Sequence, residues 1–512
     1  MGTHEEARPR EWKPASIAMC LVVLLLSACA GGLGTGASSG PDGNATNGDA
    51  PFEFGSAAVP KEMVSANGAL TVTLTAAESQ VQVENGMRWA MTYNGGATGP
   101  TLRVRPGDVL TVTLVNELND PTSLHTHGLH VSPEGNGDNP FITVDPGTSK
   151  TYAYRIPIRQ PAGTYWYHPH AHGLAAEQVA SGLSGALIVE DDVDDALDDV
   201  ATDRVLLVTD PPLTATNPWG EGVGGSANTD DGMGMGDGMG MGDGMGMGMD
   251  GMGMDGMMMQ MVGRTGPRLL TNGRGGIDLV DSEGSLERVR VVNATASSRI
   301  VLTWTGSSME QIASEGGRLS TAQERDTVSL APGERTELVL IPGSDGGRLL
   351  AQRLSNEGSG AALGTPEVIA RVNAGAGSDL SVLPAVLAPD RRDLFANGVR
   401  IARSRVITLD GHMNPSINGR RFDPETINLE AKKSTVEEWV IKNRTAMYHP
   451  IHLHSWPFQV LGESGWQDVV EVPPNSEVVI RVTFDDFGGT TVLHCHILDH
   501  EDLGMMATIR VT

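Results

Sequence analysis

Twelve of the fourteen histidines fall in four short windows, residues 125–130, 168–172, 449–454 and 494–500. Uniform scatter at this composition would place about one histidine there. Each window contains an HxH pair: His125/His127, His168/His170, His452/His454 and His494/His496. Residues i and i+2 of a strand project to the same face, so the two imidazoles of each pair point one way. Eight convergent nitrogens exceed what a single four-coordinate metal accepts, so several metals are expected. From Gly173 to Gly411 there is no histidine at all, which places the expected site between the first and last domains.

The fourth window reads HCHILDHEDLGMM (494–506) and puts Cys495 between two histidines. His449, Cys495, His500 and Met505 remain as ligand types beside the pairs. Two histidines, a thiolate and a weak axial thioether make a blue-copper electron-transfer site. In a pleated strand Cys495 faces away from His494 and His496, so its thiolate serves one site while they serve another. That gives electrons a covalent path from one metal to the others.

The elements that must position these residues are strands. Period-2 alternation runs through LRVRPGDVLTVTLVNEL (102–118), LERVRVVNAT (286–295) and STVEEWVIKNRT (434–445), each ending near an Asn that could close a strand. A second signature, a Pro turn feeding an alternating strand, also comes three times: VDPGTSKTYAYRI (144–156), LAPGERTELVLIP (330–342) and VPPNSEVVIRVTF (472–484). Paired, they predict an all-β chain of three similar units at 60–192, 200–375 and 395–512, each of a length that suits a β-sandwich. The acidic run 190–199 falls between the first two as a solvated linker.

With 36 basic against 63 acidic residues the net charge is -27, which argues against nucleic acid as a partner. Residues 1–28 have the pattern of a signal peptide: Arg8, Arg10 and Lys13 precede an apolar run shorter than the roughly 20 residues of a spanning helix. Leu26-Ser27-Ala28-Cys29 resembles a bacterial lipobox, so lipidation at Cys29 and a Gly/Ser-rich tether over 29–59 are expected. The chain is then exported and anchored on the outer face of the cytoplasmic membrane, touching the membrane only through its lipid. Arg8-Pro9-Arg10 interrupts a twin-arginine pair, which favours the general secretory route with copper loaded outside. Cys495 would be left as the sole free thiol of an extracytoplasmic protein, which calls for a metal to occupy it.

HTHG (125–128), HPH (168–170), HPIHLH (449–454) and HCHILDHEDLGM (494–505) resemble the four copper motifs of three-domain multicopper oxidases. The resemblance implies three consecutive cupredoxin-like Greek-key β-sandwiches, four copper ions, and one-electron oxidation of a donor coupled to reduction of O2 to water. It makes His449, Cys495, His500 and Met505 the type 1 ligands. It makes His125 and His452 the type 2 ligands, with His127, His168 and His496 on one type 3 copper and His170, His454 and His494 on the other. Thr126 departs from the bulky aromatic often seen between the first two histidines but removes no ligand. Glu501 and Asp138 are candidate proton-relay acids. His130, His172 and His412 fall outside the pattern, and His4 belongs to the leader.

Residues 231–261 hold 13 of the chain's 23 methionines: Met233, Met235, Met239, Met241, Met245, Met247, Met249, Met252, Met254, Met257, Met258, Met259 and Met261. Alternating glycine forbids a stable helix or packed strand, so the tract is expected as an insertion in the second unit. Thioethers are soft ligands suited to Cu(I). The expected donor is therefore cuprous ion, in copper tolerance, with Met447 as the one nearby soft residue before His449. The alternatives are a laccase-type oxidase of phenols or aromatic amines and a copper-sequestering protein that catalyses nothing. A copper nitrite reductase needs fewer histidines. The expected state is a monomer.

Overall fold

The computed structural model describes residues 55–56, 60–83, 86–190, 201–211, 262–279, 286–373, 383–388, 391–411 and 414–512. The leader with Cys29 and His4, the acidic run from residue 191, the methionine tract and His412 lie outside them. The described chain is almost entirely β, arranged as three cupredoxin-like sandwiches.

The repeated patterns occupy equivalent strands. Ala69–Val83 pairs in parallel with Val109–Asn116, which pairs antiparallel with Ser149–Arg155. The same parallel-then-antiparallel arrangement recurs for Ala201–Thr209, Leu286–Asn293 and Arg335–Ile341. It recurs again for Ile401–Asp410, Val436–Asn443 and Glu477–Thr483. Alternation sets which face is buried: Leu110, Val112 and Leu114 point into the first core beside Leu70, Val72 and Leu74. Each such side chain contributes about 1.5–3 kcal/mol of burial.

The asparagine that ends each middle strand is a lock. Asn116, Asn293 and Asn443 are all buried. Asn116 Nδ2 donates to the carbonyls of Asp120 and Val144, and Asn293 Nδ2 to those of Ser298 and Leu330. Asn443 Nδ2 donates to the carbonyls of Met447, Val472 and Pro473. In each case Oδ1 accepts the amide two residues on, Leu118, Thr295 or Thr445. In the first and third sandwiches this turn launches the segments that carry His125 and His449.

Two short helices join the outer sandwiches: α1, Ala175–Ala180, and α2, Leu498–Asp502. The Asp502 carboxylate accepts the amides of Gly173, Ala175 and Ala176 at the start of α1, while Leu498 packs on Ala176, Val179 and Ala180. Residues 212–261 fall between two paired strands of the second sandwich, since Val208 pairs with Thr271 and Thr209 with Leu270. Among the described residues no helix is long and apolar enough to cross a membrane.

Candidate metal centre

Strand Gly489–Cys495 lies antiparallel to His449–Leu453, with Ile451 opposite Cys495 and His452 opposite His494. The pleat sends neighbouring side chains to opposite faces. On one face Cys495 Sγ lies 3.5 Å from His449 Nδ1 and 3.7 Å from His500 Nδ1. His500 sits on α2. The Met505 amide donates to the His500 carbonyl (2.8 Å) and the Cys495 amide to the Met505 carbonyl (3.0 Å), closing the loop on itself. Cys495, His449, His500 and Met505 are all buried. Burial pushes the Cys495 thiol well up and the His449 imidazole well down.

On the other face eight imidazoles converge, four from the first sandwich and four from the third. The alternation argument holds in full only for His125 and His127, which share strand His125–His127. In the other pairs one member lies on a strand and the second, His170, His454 or His496, falls just past its end. The rings still gather, because the first strand pairs with Gly163–His168 (His125 opposite His168) and His452 lies opposite His494. His125 stacks on His454 at 3.8 Å between centroids and His127 on His452 at 3.7 Å.

The nitrogens of this cluster are arranged for cations. His125 Nδ1 meets the Asp138 carboxylate at 2.9 Å and His452 Nδ1 the Asp468 carbonyl at 2.8 Å. Each therefore carries its proton on Nδ1 and turns a bare Nε2 to the other, 3.3 Å apart. Two lone pairs at that distance repel unless a cation lies between them. His494 Nε2 stands likewise 3.3 Å from His170 Nε2 and 3.1 Å from His454 Nε2. His127 Nε2, His168 Nε2 and both nitrogens of His496 are buried with no hydrogen-bond partner. Burial lowers the pKa of His125, His127, His452, His454 and His496, and takes His168 to about 3 and His170 to about 4, with neighbouring rings adding to it, so at neutral pH these seven present lone pairs. The nitrogens fall into overlapping groups that could hold metals: His125/His127/His168, His125/His452/His454 and His170/His454/His494, besides His449/Cys495/His500. His496 is in none of these, but its ring lies 5.0 Å from His127 and 5.5 Å from His168. Buried orphan nitrogens and a buried thiol between two imidazoles fit copper.

Both acids singled out from the sequence lie at the cluster. Asp138 accepts the Thr126 amide and hydroxyl as well as facing His125; burial pushes it up to about 7, against the pull of those two bonds. Thr126, the departure from the aromatic often seen between such histidines, thus holds an acid. Glu501 is fully buried, with Oε2 2.9 Å from His494 Nδ1 and Oε1 3.4 Å from His170 Nε2. Its burial raises the carboxyl, and His170, His494 and His496 together draw it below the ordinary range. His130 bridges the Ser455 carbonyl and Asp486, and His172 packs on Phe422. Met447 is 2% exposed, so its thioether is not offered to solvent.

The second sandwich brings no histidine, yet it closes the cluster. A Cβ on Gly333 (φ +89°) would stand 3.0 Å from both His127 Nε2 and His496 Nε2. Arg335, also buried, grips the Asp468 carboxylate through two bonds of 2.6–2.7 Å, and its Nη1 lies 3.3 Å from His127 Nδ1. The only sequence signal for these residues was the repeated Pro turn, which marked a strand start rather than a site.

Multicopper oxidase family models match residues 75–194 and 399–512. The chain is 29% identical over 464 residues to the multicopper oxidase mco of Staphylococcus haemolyticus, covering 87% of this chain and 89% of that one. It is 26% identical over 488 residues to the laccase of Bacillus subtilis, covering 82% and 90%. Among solved structures, a Campylobacter jejuni multicopper oxidase described as a metallo-oxidase superposes with a TM-score of 0.70 at 25% identity, covering 90% of this chain and 96% of that one.

Proposed function

We propose, from the premise that this chain belongs to the multicopper oxidase family, that it couples oxidation of Cu(I) to Cu(II) near Cys495 to reduction of O2 to water at the histidine cluster. The observation that carries the coupling is Cys495 itself. Its thiol lies between His449 and His500, and the residues on either side of it, His494 and His496, lie in the cluster.

In this reading His449, Cys495, His500 and Met505 hold one copper and His125 and His452 a second. His127, His168 and His496 hold a third, and His170, His454 and His494 a fourth. Copper so bound supplies one-electron redox chemistry, four electrons and four protons converting each O2 to two waters. The chain's own residues do the rest. Asp138 and the Asp468 carbonyl fix the tautomers of His125 and His452 so that Nε2 faces inward. Thr445 Oγ1, 2.8 Å from His449 Nε2, accepts its proton and leaves Nδ1 bare toward the thiol. Asp138 and Glu501 stand as carboxylates that can take up a proton and pass it on at the cluster.

The cuprous substrate is supported by the methionine tract and by where the described chain resumes after it. The Val262 carbonyl accepts from Asn356 Nδ2 at 3.1 Å. Arg264 donates through its amide (2.7 Å) and its Nε (2.9 Å) to Asp499, the residue before His500. The segment that leaves the tract is thus pinned to the helix carrying a ligand of the Cys495 site. We further propose a monomer tethered through lipidated Cys29 to the outer face of the cytoplasmic membrane.

The test is dioxygen uptake by copper-loaded mature protein given Cu(I) or a phenol, with and without residues 231–261. Preference for Cu(I), lost selectively on deletion, is the expected result. Dominant phenol turnover with Cu(I) oxidation unaffected by the deletion would make the chain a laccase-type oxidase instead.

A further inference from the structure

Three buried acids surround the histidine cluster, and each serves one pair of rings. Asp138 stands at His125 and His454, with Oδ2 2.9 and 3.8 Å from their Nδ1 atoms. Glu501 stands at His170 and His494. Asp468 is the third: its Oδ1 lies 3.3 Å from His127 Nδ1 and 3.5 Å from His452 Nδ1. Beyond Asp468 lies a cleft of about 620 Å³ between the second and third sandwiches, walled by Glu315, Glu334, Arg335, Glu463 and Gln467 among others. Arg335 is at once a wall of this cleft and the partner that grips Asp468.

We propose that this cleft is an aqueous route for protons to the His127/His452 face of the cluster, with Glu334 and Glu315 as carboxyl relays and Asp468 at its inner end. The inference rests on the reading that the cluster reduces O2, which consumes one proton for each electron. A relay here must hold a proton at neutral pH, be refilled from water, and lie one short step from the rings.

Glu315 and Glu334 both line the cleft, and Glu315 is bonded to the segment that carries the inner acid. Neither is in an ion pair among the described residues. Glu315 Oε2 accepts the amides of Asp468 and Val469, both at 2.9 Å, which ties the relay to the inner acid itself. Glu334 Oε2 accepts the Ala331 amide at 2.8 Å and follows Gly333 in sequence, where a Cβ would meet His127 and His496. The charged groups facing Glu315 are Asp468, Glu334 and Arg335; those facing Glu334 are Glu315, Glu471, Glu463 and Arg335. Burial and these neighbouring acids favour the protonated carboxyl at both. Polar side chains of Gln311, Gln323 and Gln467 line the outer part and suit bound water. In each transfer a carboxyl O–H bond breaks as a new O–H forms inward, on cleft water or on the Asp468 carboxylate, and the carboxylate left behind takes a proton from hydronium in the cleft.

The test uses the full copper-loaded chain with Glu315→Gln, Glu334→Gln and both together; the amide oxygen keeps the accepted hydrogen bonds. The expected result is a several-fold fall in kcat for O2 uptake, steepening as pH rises, with KM for the donor and the anaerobic rate of reduction at the Cys495 site unchanged. Independently of turnover, deuterium exchange of the Asp468 and Val469 amides in the copper-free chain reports water in the cleft. Ser464→Trp, at the wall of the cleft, is expected to slow that exchange. The proposal is overturned if the double variant keeps its kcat and pH profile, if donor oxidation slows equally, or if the tryptophan leaves exchange unchanged. An unaltered chain that takes up no O2 would overturn the oxidase reading instead, and the exchange experiment would still decide whether water fills the cleft.

Discussion

Asn443 and Asn293 make the same lock in two sandwiches, one beside a metal site and one not, so replacing each with alanine separates fold from function. Asn293→Ala removes two donated bonds, to the carbonyls of Ser298 and Leu330, and two accepted from Thr295, all buried. At about 1 kcal/mol for each bond, with some carbonyls left unpaired, the loss is about 2–4 kcal/mol of stability. Asn443→Ala removes three donated and two accepted bonds and costs a similar amount. Its second effect is chemical. Thr445 Oγ1 donates to Asn443 Oδ1 at 2.9 Å and so receives the His449 Nε2 proton at 2.8 Å. Without Asn443 the hydroxyl is released to donate to Nε2, and the proton moves to Nδ1, the nitrogen that faces Cys495. Loss of such an orienting partner typically weakens a metal site about 10–100-fold. Urea denaturation of the copper-free variants measures the first effect; copper retention at the Cys495 site, followed by its thiolate-to-copper absorption, measures the second. Both variants should lose comparable stability and only Asn443→Ala should lose copper. Equal copper retention in the two, at equal loss of stability, would refute the tautomer argument.

Gly333→Ala should leave the Cys495 site loaded and strip metal from the histidine cluster, because the new methyl would sit against His127 and His496; copper counted per chain alongside the visible absorption checks this. Glu501→Gln and Asp138→Asn should each slow O2 reduction while leaving anaerobic donor oxidation intact, as stopped-flow mixing would show. Asp210 reports on folding: burial pushes its carboxyl from 3.8 up to about 7, against the pull of the Ser298 hydroxyl and the Gly266 amide. A folded pKa above the unfolded one means the native state holds the extra proton, so this group's stabilisation is full below about pH 4 and is lost as pH rises through about 7. Asp210→Asn should remove that slope, on the order of 4 kcal/mol, from urea denaturation measured across this range; an unchanged slope would assign it to other groups.

The histidine pairs and the middle strands were legible because their signals are local. A spacing of two and a period of two are properties of short segments, and they survive whatever the rest of the chain does. The Asn that ends each middle strand was visible as a strand end, but its grip of three to five bonds depends on carbonyls up to 37 residues away, as with Leu330 for Asn293. Placing His170, His454 and His496 just past strand ends needed the third dimension as well, since the pattern alone extends each strand through its pair.

The part of the site that was illegible belongs to the second sandwich, for a physical reason. Histidines announce metal by residue type, whereas Gly333 acts by having no side chain and Arg335 by a reach of 208 residues to His127 and 133 to Asp468. Neither residue type is rare, and neither is spaced for anything visible within its own segment. Their position follows from the repeat: the Pro turn that starts Ser149–Arg155 and Glu477–Thr483 in the outer sandwiches starts Arg335–Ile341 in the middle one. There the turn is wedged between the two ligand-bearing domains. A middle sandwich that merely spaced the other two could tolerate a side chain at residue 333. One that forms the wall of the cluster cannot, and the Gly333→Ala copper count distinguishes these two roles.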